Sequence, residues 1–213
     1  MVTDFSPVSP LFTQPIILFA SKTLPARDLN GLITWLKANP NKASAGIQTV
    51  GFRLRFMFFQ QETGTQFALM PYRGVATAIP DLMAGQIDLV FETPVQLPLS
   101  RSGSIQAYAV TGDTRLAQAP DIPTFAEMGL PAVSFSSWHG LFVPRGTPKD
   151  IIGKLNAAAV EALADPAVRS RLAGLGVEVF PRERQTPEAL GALQRADAEK
   201  WWPIIKEFGI KAE

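Results

Sequence analysis

Four stretches of this chain hold residue types at spacings that could do chemistry. The first is Ser44-Ala45-Gly46-Ile47-Gln48-Thr49, between a predicted strand and a predicted helix. Small residues there let backbone N–H groups approach a ligand, and the Ser44 and Thr49 hydroxyls add polar contacts. A helix N-terminus offers unpaired N–H donors and partial positive charge, so a carboxylate is its natural guest. The plainer alternative is a capped helix with a glycine turn. The second stretch is Tyr72-Arg73-Gly74, again where a strand should feed a helix. Arg73 suits two-pronged pairing with a carboxylate, and Gly74 lets the backbone close on a ligand. Its plainer alternative is a surface arginine beside a turn glycine. The third is Asp88 with Glu92 and Thr93. A carboxylate inside an apolar strand is costly unless satisfied. Asp88 therefore either hydrogen-bonds a neighbouring loop or receives a cationic ligand group. Glu92 and Thr93 fall at the strand end, where ligands sit in open α/β sheets. The fourth is Ser136-Ser137-Trp138-His139-Gly140. Trp138 either covers an organic ligand or completes a core. His139 beside serines invites a general-base reading, yet a base needs a nucleophile and an orienting partner. No nucleophile motif is recognisable, and an enzyme is not expected.

Composition excludes several other chemistries. The 213 residues contain no cysteine and one histidine. Disulfides, thiolate nucleophiles and multi-histidine metal sites are thereby excluded. No acidic loop has calcium-site spacing, and no glycine-rich loop has nucleotide-site spacing. No metal or cofactor is expected. Lys and Arg total 20 against 19 Asp and Glu, a net charge of +1. This balance argues against nucleic acid as the main partner. No apolar run approaches the roughly 20 residues that span a bilayer. The Met1-Val2-Thr3-Asp4 start lacks the charged and apolar pattern of a signal peptide. With 46% hydrophobic residues, the chain can build one substantial α/β domain or two small ones.

The elements that must position these residues alternate. Ile16 to Ala20 reads as a buried strand. Leu24-Pro25 opens a helix with Leu29, Leu32, Ile33 and Leu36 at helical spacing, stopped by Asn39-Pro40. Lys42 to Gly46 reads as a strand entering a small-residue loop. Residues 49–61 read first as a helix buried on several sides, but Phe52, Leu54, Phe56 and Phe58 also alternate as in a strand. Strands are expected at 66–70, 87–91 and 105–110. A helix with Ala78, Leu82 and Met83 inward should end near Gly85, and a short one should run from Pro123 to Met128. Thr147 and Pro148 signal a helix start, with Ile151, Leu155, Ala158 and Ala162 as its inward face. Asp165-Pro166 and Thr186-Pro187 signal two more, the former with Val168 and Leu172 inward. This alternation predicts an α/β fold with a parallel or mixed sheet.

The succession of phrases resembles one family, the receptors of tripartite tricarboxylate transporters, or Bug proteins. The phrases are Asp4 to Ser9, Pro71-Tyr72-Arg73-Gly74, Leu82-Met83-Ala84-Gly85-Gln86-Ile87-Asp88, Ala109-Val110-Thr111, Asp121 to Pro131, Trp138 to Pro144 with Gly146-Thr147-Pro148, and Leu163 to Pro166. The resemblance implies a type II periplasmic-binding fold, two α/β lobes that close on a ligand between them. It implies a periplasmic receptor, without cofactor, that delivers di- or tricarboxylates, aromatic acids or amino acids to membrane permease subunits. By the same resemblance Ser44, Gly46, Gln48 and Thr49 with Tyr72, Arg73 and Gly74 supply carboxylate contacts. Asp88 meets an ammonium group in amino-acid binders, Glu92 and Thr93 line the cleft, and Trp138 marks the return to the first lobe.

Two departures from the family pattern shape further expectations. The first loop carries fewer Ser, Gly and Asn residues than usual and the next helix is more aromatic, which favours bulkier or more apolar acids. The chain also begins late relative to the family. The expectation is a near-complete second lobe over 20–135 and an incomplete first lobe from 1–19 and 136–213. An incomplete lobe exposes sheet edges and apolar patches, so self-association is expected. The competing readings are an effector-sensing or interaction module, or a binding-defective fragment, with the same fold.

Overall fold

The computed structural model describes residues 4–134, 136–207 and 209. In chain order the elements are β1 (Phe5–Gln14), β2 (Ile17–Ser21), α1 (Leu29–Ala38), β3 (Ser44–Ile47), α2 (Val50–Thr63), β4 (Ala68–Pro71), α3 (Val75–Ala84), β5 (Leu89–Glu92), α4 (Leu97–Arg101) and β6 (Ile105–Val110). Then come β7 (Ser137–Pro144), α5 (Lys149–Ala164), α6 (Pro166–Gly174), β8 (Glu178–Val179) and α7 (Pro187–Glu207). They form two units, one of Gln14–Ser137 and one of Met1–Thr13 with Trp138–Glu213. The first boundary falls before β2, not after residue 19, because β2 is an inner strand of the larger unit's sheet, paired with β5 and β6.

That sheet has the order β4-β3-β5-β2-β6. β3 runs parallel to β4 and β5, while β2 is antiparallel to β5 and β6. β2 is wholly buried, as the unbroken run Ile-Leu-Phe-Ala predicts for a strand covered on both faces. On one face Leu18, Ala45, Leu89 and Phe91 pack with Phe56, Phe59 and the α1 leucines. On the other, Ile17, Phe19, Val90 and Val110 pack with Ala78, Ile79 and Leu82 of α3.

Helix α1 starts at Leu29 because the Asp28 carboxylate accepts the Gly31 N–H at 2.7 Å. Residues 49–61 are helical, with Thr49 as N-cap and Gly64 in the left-handed region as C-cap. The buried residues of this helix are Leu54, Arg55, Phe56, Phe59 and Thr63, with Phe52 part-buried beside them. β3 extends to Ile47, so most of the expected small-residue loop is strand.

Several expectations are corrected. Met83 is exposed, since α3 turns Ala78, Ile79 and Leu82 to the core. Pro123 to Met128 makes no helix, only one turn. Thr124 and Glu127 close that turn reciprocally, each backbone N–H bonding the other side chain at 2.7 and 3.0 Å. Thr147 does not cap α5, because its hydroxyl donates to the Pro144 carbonyl and Pro148 takes the cap position.

In the smaller unit the sheet order is β7-β1-β8. Asp165 and Thr186 cap α6 and α7 as their sequence signals imply. The expected inward face of α5 is exposed instead: Ile151 and Leu155 are 39% and 37% accessible, and Ala158 and Ala162 are open. The helix is turned by Asn156, whose amide donates to the Val8 and Gln185 carbonyls, both at 2.9 Å. Val168 of α6 is exposed as well.

Candidate functional site

Three parallel strands direct their carboxyl ends to one edge of the larger sheet. The register pairs Ala45 with Leu89 and Gly46 with Val90, and on the other side Gly46 with Met70 and Ile47 with Pro71. Gln48, Thr49, Tyr72 and Glu92 with Thr93 therefore gather at that edge. Ser44 and Asp88 do not. Ser44 begins β3 and Asp88 immediately precedes β5, about 13 Å away along β3 at ~3.3 Å per residue. There the Asp88 carboxylate accepts the Ser44 N–H at 2.8 Å and its hydroxyl at 3.3 Å. Asp88 is thus satisfied by Ser44 at the start of β3, where the sequence suggested a neighbouring loop or a ligand. Gly46 lies inside β3, and a Cβ there would come within 2.7 Å of Ile87 Cδ1 and 3.3 Å of Val90 Cγ1. Packing explains this glycine without a ligand.

At the open edge α2 begins. Thr49 is extended and its hydroxyl accepts the Phe52 N–H at 3.3 Å. The first turn carries no acidic residue. The first N–H groups of the helix have no intrahelical acceptor, and its dipole places partial positive charge there. One turn on, Arg55 is only 3% exposed. Its guanidinium donates to the Gly51 carbonyl at 3.3 Å and the Ser137 hydroxyl at 3.2 Å, and lies 5.7 Å from the Phe52 ring centre. Burial pushes its pKa down to about 10, so it stays charged at neutral pH. A buried cation beside a helix N-terminus makes this edge strongly attractive to anions. Sequence reasoning missed Arg55. Its signal is a cation in phase with Phe52, Phe56 and Phe59 on an apolar helix face.

Glu92 ends β5 and is 1% exposed. One carboxylate oxygen accepts the Thr93 N–H at 3.0 Å, while Oε1 has no hydrogen-bond partner among the described residues. Burial raises its pKa above 4.5, opposed in part by the Thr93 N–H. Both amide atoms of Gln48 are buried and likewise without partners. The Tyr72 hydroxyl donates to Asp81 at 2.7 Å. That bond, followed by burial and the Asp81 charge, pushes its pKa up to about 12. Arg73 is exposed. Gly74 is extended and its carbonyl accepts the Thr77 and Ala78 N–H groups, both at 3.3 Å.

The remaining candidates belong to the smaller unit. The Trp138 indole N–H donates to the Asp197 carboxylate, and its ring lies 6.4 Å from Phe142. The His139 ring packs on Phe12 with centres 4.7 Å apart, and burial lowers its pKa. A cavity of about 490 Å³ in this unit is lined by Ser6, Lys149, Ile152, Glu188, Gly191 and Arg195 among others. Among the described residues, no cluster of His, Cys, Asp or Glu could hold a metal ion, and no helix is long and apolar enough to cross a membrane.

The family model described as the tripartite tricarboxylate transporter family receptor matches residues 1–210. A UPF0065 protein from the TAR-I ttuE-ttuC' intergenic region of Agrobacterium vitis is 33% identical over 211 residues, 98% of this chain and 61% of the relative. The chain thus spans under two thirds of that relative's length. Among solved structures, one described as a periplasmic transporter has a TM-score of 0.89 at 33% identity, covering 99% of this chain and 70% of its own. MatC from Rhodopseudomonas palustris with bound malate has a TM-score of 0.84 at 31% identity, covering 94% and 69%. The chain belongs to the tripartite tricarboxylate transporter receptor family.

Proposed function

We propose that this chain is the ligand-binding part of a periplasmic receptor that captures a small organic carboxylate for a tripartite uptake transporter. The observation that carries this reading is the start of α2, where an acid-free helix N-terminus meets the buried Arg55 guanidinium. Two sources of positive charge at one strand edge suit a carboxylate. The family supports membrane permease subunits as partners, and the malate-bound relative supports a diacid of modest size. No bond is made or broken in this reading. The work is done by differential affinity alone. Exposed Ile151, Leu155, Val168 and Leu175 support self-association as well.

A thermal-melt panel of succinate, citrate, glutamate, benzoate, terephthalate and nicotinate tests the receptor reading. Binding to the folded state raises the melting temperature, by an amount equivalent to about 2.7 kcal/mol at a hundredfold excess over Kd. A dose-dependent rise with one chemical class is expected. A sharp melt indifferent to all acids contradicts it. Sedimentation of the same sample should show species heavier than 23.1 kDa, and a clean monomer contradicts the self-association.

A further inference from the structure

We infer that helix α5 carries the self-association surface, and that it pairs antiparallel with α5 of a second copy of this chain. This rests on the self-association reading and names its contact.

The case starts from an apolar stripe with nothing packed on it. Ile151, Leu155, Ala158 and Ala162 recur at spacings of four, three and four, so they fall on one line along the helix. Ile151 and Leu155 are 39% and 37% exposed, and both alanines are open. Asn156 fixes this rotation. Its amide is bound to the Val8 and Gln185 carbonyls, so the helix cannot roll the stripe inward without breaking both hydrogen bonds. A heptad-spaced apolar line held on an outward face is a seat for a second helix.

The residues along the line select the occupant and its direction. In an antiparallel pair centred between residues 156 and 157, Ile151 of one copy meets Ala162 of the other, and Leu155 meets Ala158. Every layer then sets one large side chain against one small one. A parallel pair would stack Ile151 on Ile151 and Ala162 on Ala162, splaying the helices at one end and leaving a gap at the other. Charge points the same way. Lys154 and Glu161 are seven residues apart and flank the stripe on one side. In the antiparallel pair Lys154 comes within ~3 Å, measured along the axis, of the partner's Glu161. Two-fold symmetry makes that contact twice. Within its own chain Lys154 reaches only Asp150, at 4.0 Å with both side chains largely exposed, and such a pair is weak. The Glu161 carboxylate has no partner among the described residues. A second copy therefore supplies both the apolar and the charged complement that this face lacks.

Sedimentation of the full chain over a range of concentrations tests this, alongside Lys154→Glu, Glu161→Lys and the double reversal. Both positions are exposed, so each variant should fold. Each single reversal brings like charges together twice and should weaken association by about tenfold or more. The double reversal restores both pairs and should return association to within about twofold of the natural chain. A second measurement reads the direction. The chain has no cysteine, so Ile151→Cys and Ala162→Cys can be oxidised separately and as a mixture. The mixture should cross-link and neither variant alone should, because the two copies of residue 151 lie ~16 Å apart along the axis. Single reversals that associate like the natural chain, a double reversal without rescue, or Ile151→Cys cross-linking to itself overturns the inference and leaves self-association to another surface. A natural chain that stays monomeric at every concentration overturns both. The melting response to organic acids should be the same in all these variants, so the receptor reading is decided separately.

Discussion

Alanine at Phe56 should destabilise the larger unit by about 3–5 kcal/mol, the usual cost of deleting a fully buried aromatic side chain. Phe56 has no exposed surface and sits at the centre of an aromatic cluster. Its ring meets Phe67 edge-on at 5.7 Å and Phe91 at 4.6 Å, and Phe91 and Phe59 reach Phe125 at 5.9 and 6.3 Å. Removing it opens a cavity between α2 and the sheet that rigid strands on the far side cannot fill. For a chain of this size, about 2–4 °C of melting temperature goes with each kcal/mol. The transition should therefore fall by about 6–20 °C. A loss below about 1 kcal/mol in denaturant titration would mean that α2 does not pack as described. Because Thr49 and Arg55 ride on the same helix, the loss should also weaken ligand binding.

The second large effect concerns binding. Arg55→Met should weaken affinity for the preferred acid by about 10- to 100-fold, since a unit charge at roughly 6 Å and an effective dielectric near 20 contributes about 3 kcal/mol. The methionine keeps an unbranched stem and removes the guanidinium that lies over the Phe52 ring. Arg55→Lys should retain much of the affinity, because it keeps the charge but not the fork that reaches both Gly51 and Ser137. Calorimetry at two salt concentrations checks the origin of the loss. The natural chain should lose affinity with added salt less steeply than an exposed pair would, because Arg55 is buried. Equal affinities for the natural chain and Arg55→Met would remove the guanidinium from the site.

Much of the fold is legible in the sequence where local and tertiary signals agree. The Asn39-Pro40 stop, the helix through the aromatic run after Thr49, and the Ile105–Val110 strand all appear as expected. α5 shows where such reasoning ends. Its apolar stripe of Ile151, Leu155, Ala158 and Ala162 is regular, but a helix rotates to satisfy its buried hydrogen bonds as well as its stripe. Asn156 is bound to two carbonyls from distant parts of the chain, and no local pattern announces that.

The site divides along similar lines. Strand ends can be named from sequence, but which end faces which way depends on register. Ser44 and Asp88 fall at the opposite edge from Thr49 and Glu92 because β3 and β5 are parallel and nearly level. Arg55 escapes sequence reasoning because a charged residue reads as solvent-facing by default. Only the spacing of Phe52, Phe56 and Phe59 reveals that it lies on the inward face.

The most direct measurement tracks backbone amide resonances of labelled protein while malate is added. The carboxylate-receptor reading expects the largest, saturable shifts at Val50, Gly51 and Phe52 in the first turn of α2, with the Glu92–Thr93 amides next. Shifts confined to the cavity lined by Lys149, Glu188 and Arg195, or no saturable shift with malate or any acid that raises the melting temperature, would contradict it.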